Sequence, residues 1–250
     1  MGQIFCVANQ KGGVGKTTTA ISLASAIARS GRRTLLIDLD PQCNATSGLG
    51  IQPTRRHPLA DDRDISESVV PAEGGNLAIL PGCPGFSNIE MMAARDPELL
   101  ARMTRRFLDG VAGYEAVLID SPPSMGPMTR AALAWSTEVI MPIQCEFFAM
   151  EGLVRMIDVL RRVKQGGGGT LASAGIVLTM YDPQLELTRE VERQIRESEV
   201  FGNYVYKTVI PWDVTVSEAP SHGKSIFEYA PRSRGARAYA ELCMEVLEYV

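Results

Sequence analysis

Seven short, almost unbroken apolar runs limit what this chain can fold into: "IFCVAN" (4–9), "TLLIDLD" (34–40), "LAILPG" (77–82), "AVLIDS" (116–121), "EVIMPI" (138–143), "AGIVLTM" (174–180) and "VYKTVI" (205–210). Runs of this kind suit strands buried on both faces of a parallel sheet. Between them lie helix-length segments such as 17–29, 97–110, 149–164 and 186–199. Strands alternating with helices predict an α/β fold, a mostly parallel twisted sheet with helices on both faces and right-handed crossovers. Two stretches read as long irregular loops: 41–64, rich in Pro and Asp, and "GGGG" at 166–169. The glycines are expected to cap the preceding helix and turn the chain towards the next strand. Strands of the same type continue after them and no internal repeat is present, so residues 1–250 read as a single domain.

The sequence is 45% hydrophobic and 22% charged, the balance of an ordinary soluble protein with one large core. A net charge of -4 gives no global basic field, so any nucleic-acid site must be a local patch. The five cysteines, Cys6, Cys43, Cys83, Cys145 and Cys243, are odd in number and contain no C-x-x-C pair. That argues against a disulfide framework or zinc cage and suits a reducing cytosol. No apolar run approaches the roughly 18 residues of a membrane span. The N-terminus lacks the layout of a signal peptide, and "MGQIFC" has Cys where a myristoylation site needs Ser or Thr. A cytoplasmic location without membrane attachment is expected.

In sheets of this type ligands bind at the carboxyl ends of the strands. The first strand runs straight into Asn9-Gln10-Lys11-Gly12-Gly13-Val14-Gly15-Lys16-Thr17-Thr18. Glycines let such a loop curl its N–H groups around phosphate oxygens, and the following helix adds its dipole. Lys16 is placed to neutralise β- and γ-phosphates, and the Thr17 hydroxyl to ligate Mg2+. The loop departs from the standard G-x-x-x-x-G-K-[ST] pattern, because its first position is Gln10 and an extra lysine, Lys11, stands beside it. A dinucleotide loop is excluded, since Thr18 stands where its third glycine would be. The second strand ends in Asp38 and Asp40, spaced to share one side. Beside a magnesium nucleotide, one carboxylate can support the metal shell and the other orient the attacking water. The fourth apolar run ends in Asp120, the usual form of a Walker B carboxylate.

Together, "NQKGGVGKTTT", "LIDLDPQCNATSGLG", "IDSPPS", "PIQCEFFAMEGL" and "EAPSHGKSI" resemble the ParA/Soj branch of the ParA–MinD family of deviant Walker ATPases. The similarity runs in order from residue 3 to about 240 and is weakest over 50–110. It implies a P-loop NTPase-like fold using ATP and Mg2+, and a homodimer that closes face to face around two nucleotides. By resemblance, Lys16 acts on its own subunit's nucleotide, while Lys11 is the signature lysine that reaches the opposite subunit's. Such a charge in trans works as an arginine finger does. Asp40 matches the water-activating carboxylate. Thr17, Asp38 and Asp120 match the Mg2+ group, the carboxylates acting through water. Gly12 to Thr18 match the phosphate cradle. "TMYD" and "IPWDV" match segments flanking the adenine, with Pro211 and Asp213 as candidates there. The resemblance further implies slow hydrolysis stimulated by a ParB-like partner with a short basic segment, and nucleoid association through non-specific DNA.

Neighbouring families fit less well. A MinD-like membrane helix would be basic, whereas "YAELCMEVLEYV" carries Glu241, Glu245 and Glu248. A nitrogenase iron protein needs a cysteine after the Walker B strand, and "SPPSMGPMTRAAL" has none. A biosynthetic ligase with a deviant P-loop is expected to lack the runs quoted above. The chain also departs from its own branch: where I-P-R-N-V-R-L is usual, it reads Ile210-Pro211-Trp212-Asp213-Val214-Thr215-Val216. Both DNA-gripping arginines are missing. The remaining candidates for DNA are Arg189, Lys207, Lys224, Arg232, Arg234 and Arg237, with Arg193 and Arg196 nearby. An alternative is an ATPase that positions a protein cargo without touching DNA.

Overall fold

The computed structural model describes residues 2–61, 64–165 and 171–248. The strands are β1 (Gln3–Val7), β2 (Thr34–Asp38), β3 (Val70–Pro71), β4 (Leu77–Leu80), β5 (Ala116–Asp120), β6 (Glu138–Gln144), β7 (Ser173–Tyr181) and β8 (Val205–Pro211). The helices are α1 (Lys16–Arg29), α2 (Asn44–Gly48), α3 (Phe86–Ala93), α4 (Pro97–Val111), α5 (Pro127–Trp135), α6 (Ala149–Gln165), α7 (Glu186–Glu197), α8 (Val214–Glu218), α9 (Ile226–Tyr229) and α10 (Arg234–Glu248). All strands join one sheet of order β3-β4-β2-β5-β1-β6-β7-β8. Every pairing is parallel except that of β3 with β4. The expected α/β architecture is present.

Side-chain alternation explains why helices cover both faces. Ile4, Cys6, Leu35, Ile37, Val117 and Ile119 enter one apolar core with residues of α3 to α7. Their neighbours Phe5, Val7, Leu36 and Leu118 enter a second core with α1 and α10. All five residues of β2 and of β5 are buried, which is why these strands read as unbroken apolar runs. Helix α4 shows the local logic: Asp96 accepts from the N–H groups of Glu98 (3.0 Å) and Leu99 (3.1 Å), and Pro97 opens the first turn. Leu99, Met103, Phe107 and Val111 then form its buried stripe, and Phe107 stacks on Trp135 at 4.4 Å.

Some expectations change. Residues 41–64 are not wholly irregular, because α2 forms within them and Thr46 is fully buried. Helix α5 was hidden by composition: "PMTRAALAW" is buried at Met128, Thr129, Ala131, Ala132, Leu133 and Trp135, leaving no clear amphipathic period. The two-residue β3 contains Pro71 and sits at the sheet edge, where a missing N–H is tolerated. At the other edge, Glu245 of the acidic C-terminal helix accepts from the backbone N–H groups of Lys207 (2.5 Å) and Thr208 (3.0 Å) of β8. The tetraglycine at 166–169 lies outside the described residues. No described helix is long and apolar enough to cross a membrane.

The loop before β3 is organised around His57, 1% exposed, whose ring meets Phe86 edge-on at 4.9 Å. Its Nε2 has no partner among the described residues, and burial pushes its pKa from 6.5 down to about 3. The folded protein therefore resists a proton that the unfolded chain accepts, so the stability tied to His57 is full above pH 6.5 and lost as pH falls towards 3. The slope is at most about 1.4 kcal/mol per pH unit. Urea unfolding between about pH 7 and 4.5 should show wild type losing more stability than His57→Gln; parallel losses would mean that His57 titrates normally.

Candidate active site

The strand order β2-β5-β1 brings three carboxyl ends side by side. Asp38 is the register partner of Asp120, and Asp120 that of Val7. The loop leaving β1 at Ala8 therefore starts next to both carboxylates. Gly13 and Gly15 adopt left-handed φ values of 74° and 86°, which L side chains rarely tolerate, and so curl the loop onto the N-terminus of α1. Asn9 fixes the loop's base by donating to the Pro142 carbonyl (2.8 Å), and Thr179 fixes its middle by donating to the Val14 carbonyl (2.8 Å).

The two lysines of the loop point in different directions. Lys16 is buried and its Nζ donates to the Lys11 carbonyl (2.9 Å), inside the cradle. Burial pushes its pKa down, while Asp120 and Asp40 pull it back up. The Lys11 side chain instead leaves the loop and pairs with Glu146 beyond the end of β6, both side chains being nearly half exposed. Phe147 and Phe148 follow that glutamate, 78% and 65% exposed.

The three aspartates are equally distinct. Asp38 is fully buried and committed to the protein: Oδ1 accepts from the Asp40 N–H (3.1 Å), and Oδ2 from the Thr46 N–H (2.9 Å) and hydroxyl (2.6 Å). Thr46 in turn accepts from the Gly82 N–H (2.8 Å). Asp38 thus holds the loop that carries Asp40. Asp40 is 6% exposed and uses Oδ1 to accept from the Gln42 N–H (2.8 Å). Asp120 is fully buried, and neither oxygen has a hydrogen-bond partner. Burial and then Asp38 push its pKa well up, opposed by the nearby Thr17 hydroxyl and Lys16. An orphaned carboxylate beside a threonine hydroxyl is a suitable outer support for a hydrated divalent cation. No group of three or more His, Cys, Asp or Glu converges among the described residues, so such a cation would draw its other ligands from water and phosphate.

Beside the loop opens a cleft lined by Gly15, Thr18, Met180, Pro211, Trp212 and Asp213. Met180 holds a left-handed φ of 52° at its edge. Pro211 is where the sequence places it. The Asp213 carboxylate, however, accepts from the Thr215 N–H (3.0 Å), the Thr215 hydroxyl (2.8 Å) and the Gly235 N–H (2.9 Å). It caps α8 and ties it to α10 while lining the cleft. Sequence reading missed Thr46 and Glu146, although both lie inside the quoted motifs; nothing in the sequence says which aspartate or lysine they engage.

The basic candidates are scattered. Arg234 donates to the Trp212 carbonyl (3.3 Å), placing the start of α10 beside the cleft. Lys207 lies by Glu245, roughly 15 Å further along the same helix. Arg189 donates to the Pro183 carbonyl (2.6 Å). Arg193 and Arg196 pair with Glu190 and Glu192, whereas Arg189, Lys207, Lys224, Arg232, Arg234 and Arg237 are exposed and form no salt bridge among the described residues.

A family model described as an AAA domain matches residues 2–173. The chain is 44% identical over 247 residues to the chromosome-partitioning ATPase Soj of Thermus thermophilus, covering 98% of this chain and 96% of the relative. It is 40% identical over 251 residues to the sporulation initiation inhibitor protein Soj of Bacillus subtilis, covering 98% of each. A solved structure of cobyrinic acid a,c-diamide synthase from Mycobacterium smegmatis, with bound ADP and magnesium, matches with a TM-score of 0.84 and 30% identity, covering 100% of this chain and 95% of that one.

The aspartates should separate by stability. Asp38→Ala strands three donors and should cost about 2–4 kcal/mol in urea unfolding. Asp120, supported only by the nearby Thr17 hydroxyl and Lys16, has no such set of donors to strand, so Asp120→Asn should cost the ligand-free protein less than about 1 kcal/mol. Equal destabilisation by both would contradict these assignments.

Proposed function

Because the chain belongs to the ParA/Soj family of partition ATPases, we propose that residues 1–250 form one ATPase domain in which ATP builds a face-to-face homodimer and hydrolysis releases it. The observation that carries this reading is the divergence of the two lysines. Lys16 turns into its own phosphate cradle, while Lys11 extends out to Glu146 at the surface. A lysine that faces away from its own site is positioned to serve another subunit's. The higher identity to the Soj proteins, over 98% of the chain, sets partition above the synthase reading.

Each residue then has a task. The N–H groups from Gly12 to Thr18 cradle the phosphates, and Lys16 neutralises β- and γ-oxygens. Thr17 and, through water, Asp38 and Asp120 would hold Mg2+, which supplies charge neutralisation between the phosphates. Asp40, kept in place by Asp38 and Thr46, orients the attacking water. Lys11 of the opposite subunit stabilises charge growing on the transferred phosphoryl oxygens. Pro211 and neighbouring carbonyls border the adenine. Hydrolysis is slow and stimulated by a ParB-like protein with a short basic segment. The dimer works in the cytoplasm and associates with the nucleoid through Arg232, Arg234 and Arg237, with Arg189, Lys207 and Lys224 as further contacts.

One observation favours a second reading. Trp212, 56% exposed, and Thr215 stand where the resembled branch usually has its DNA-gripping arginines, and Asp213 adds an acid between them, which suits a protein cargo surface instead.

Asp40→Ala should bind ATP normally, hydrolyse it orders of magnitude more slowly, and accumulate as a dimer in light scattering with ATP and Mg2+; wild-type turnover would place the water elsewhere. Lys16→Ala should fail to bind ATP in calorimetry. The trapped Asp40→Ala dimer should shift DNA of any sequence at low salt. That affinity should fall against log salt with a slope of about -0.9 per phosphate contact and vanish when Arg232, Arg234 and Arg237 become Glu. No shift at low salt would remove the nucleoid and leave the protein-cargo reading.

A further inference from the structure

On one face of the sheet, α5 packs against α3, α4 and α6 and leaves an open groove of about 510 Å3 between them. Its walls are mostly apolar, with Leu100 from α4, Met125 and Ala131 at and within α5, and Val159 and Val163 from α6. Two cations line it, Arg130 and Arg162, and no Asp or Glu does. The other arginines of α6 are occupied, Arg155 by Glu151 and Arg161 by Asp158 (3.6 Å). Arg130 donates to the Met125 carbonyl (3.3 Å), and neither it nor Arg162 forms a salt bridge among the described residues. Glu90 borders one end, turned against Ser124 and Gly126. Helix α3, whose Ala93 lines the groove, also exposes Met91 and Met92, each 59% accessible.

We propose that this groove docks an amphipathic helix of another protein, apolar on one face and bearing carboxylates along its edge. An open trough between helices is the shape that receives a helix by its apolar stripe. Methionines at its margin suit adaptable packing. Two arginines without acidic partners are poised for carboxylates, which they bind through paired N–H groups. A basic segment would instead set like charges against them, so this surface differs in kind from one that receives a basic activating peptide. Position gives the contact a consequence. Residues 121–126 lead from Asp120 to α5, and Met125 of that link lines the groove, so a docked helix touches the segment leaving the Walker B strand. The proposal does not depend on nucleotide-driven dimerisation.

Three fluorescein-labelled designed peptides test it by anisotropy with the full-length chain. One has a Leu stripe at i, i+3, i+4 and i+7 flanked by Glu, one replaces Glu by Lys, and one replaces Leu by Ala. The Glu peptide should bind at least about tenfold more tightly than the Lys peptide, and the Ala peptide should not bind. In Arg130→Glu/Arg162→Glu the order should reverse, an outcome that itself requires a folded groove. Equal binding of the Glu and Lys peptides, or an order unchanged in the double variant, overturns the proposal. So does self-association of wild type that the double variant abolishes, because the occupant would then be a second copy.

Discussion

A carboxylate sealed at the end of β5, supported only by a nearby hydroxyl and a lysine, sets the terms for the nucleotide end of the molecule. Asp120 is fully buried with no close hydrogen-bond partner among the described residues, one strand away from the equally buried Asp38. Two carboxylates in a dry interior repel each other and are costly to ionise. The fold resolves this unequally. Asp38 receives three hydrogen bonds and becomes part of the scaffold, while Asp120 is left with a nearby hydroxyl and the Lys16 ammonium. In the proposed cycle a magnesium nucleotide supplies the missing charge, so binding it stabilises the fold as well as occupying the site.

The same economy of charge gives the extra lysine its freedom. The Lys11–Glu146 pair is nearly half exposed on both sides, and exposed ion pairs of this kind contribute only about 0–1 kcal/mol. In the proposed dimer, such a partner would be exchanged for phosphate on the second subunit. Phe147 and Phe148, edge to face at 5.0 Å, leave apolar surface beside that glutamate, which a closing subunit would cover. Lys16 has no such freedom, being buried and held against the loop's own backbone.

Much of this was legible in the sequence, for a physical reason. Strands buried on both faces must be apolar throughout, so β1, β2, β4, β5, β6, β7 and β8 announced themselves, and ligand residues fall where such runs end. Helices whose burial is one-sided, such as α4 and α7, were equally readable. The short, mostly buried α5 was not, because a single exposed Arg130 marks no period. What the sequence could not supply was pairing. Asp38, Asp40 and Asp120 look alike as strand-end aspartates; only Thr46, brought from eight residues on, separates the scaffold from the free carboxylate. Nothing local in the sequence announces that Asp213 also accepts from the Gly235 N–H, distant in sequence. Long-range hydrogen bonds assign roles that local spacing leaves open.

The central claim is that Lys11 acts across the dimer, and complementation between two defective chains tests it most directly. Lys11→Ala keeps Asp40 but cannot serve its partner, and Asp40→Ala keeps Lys11 but cannot activate water. Only a mixed dimer joins Lys16 and Asp40 of one subunit to Lys11 of the other. Phosphate release with ATP and Mg2+ should therefore be negligible for each variant alone and restored when the two are mixed. A mixture as inactive as its components, or a Lys11→Ala protein that hydrolyses ATP like wild type by itself, would contradict the account.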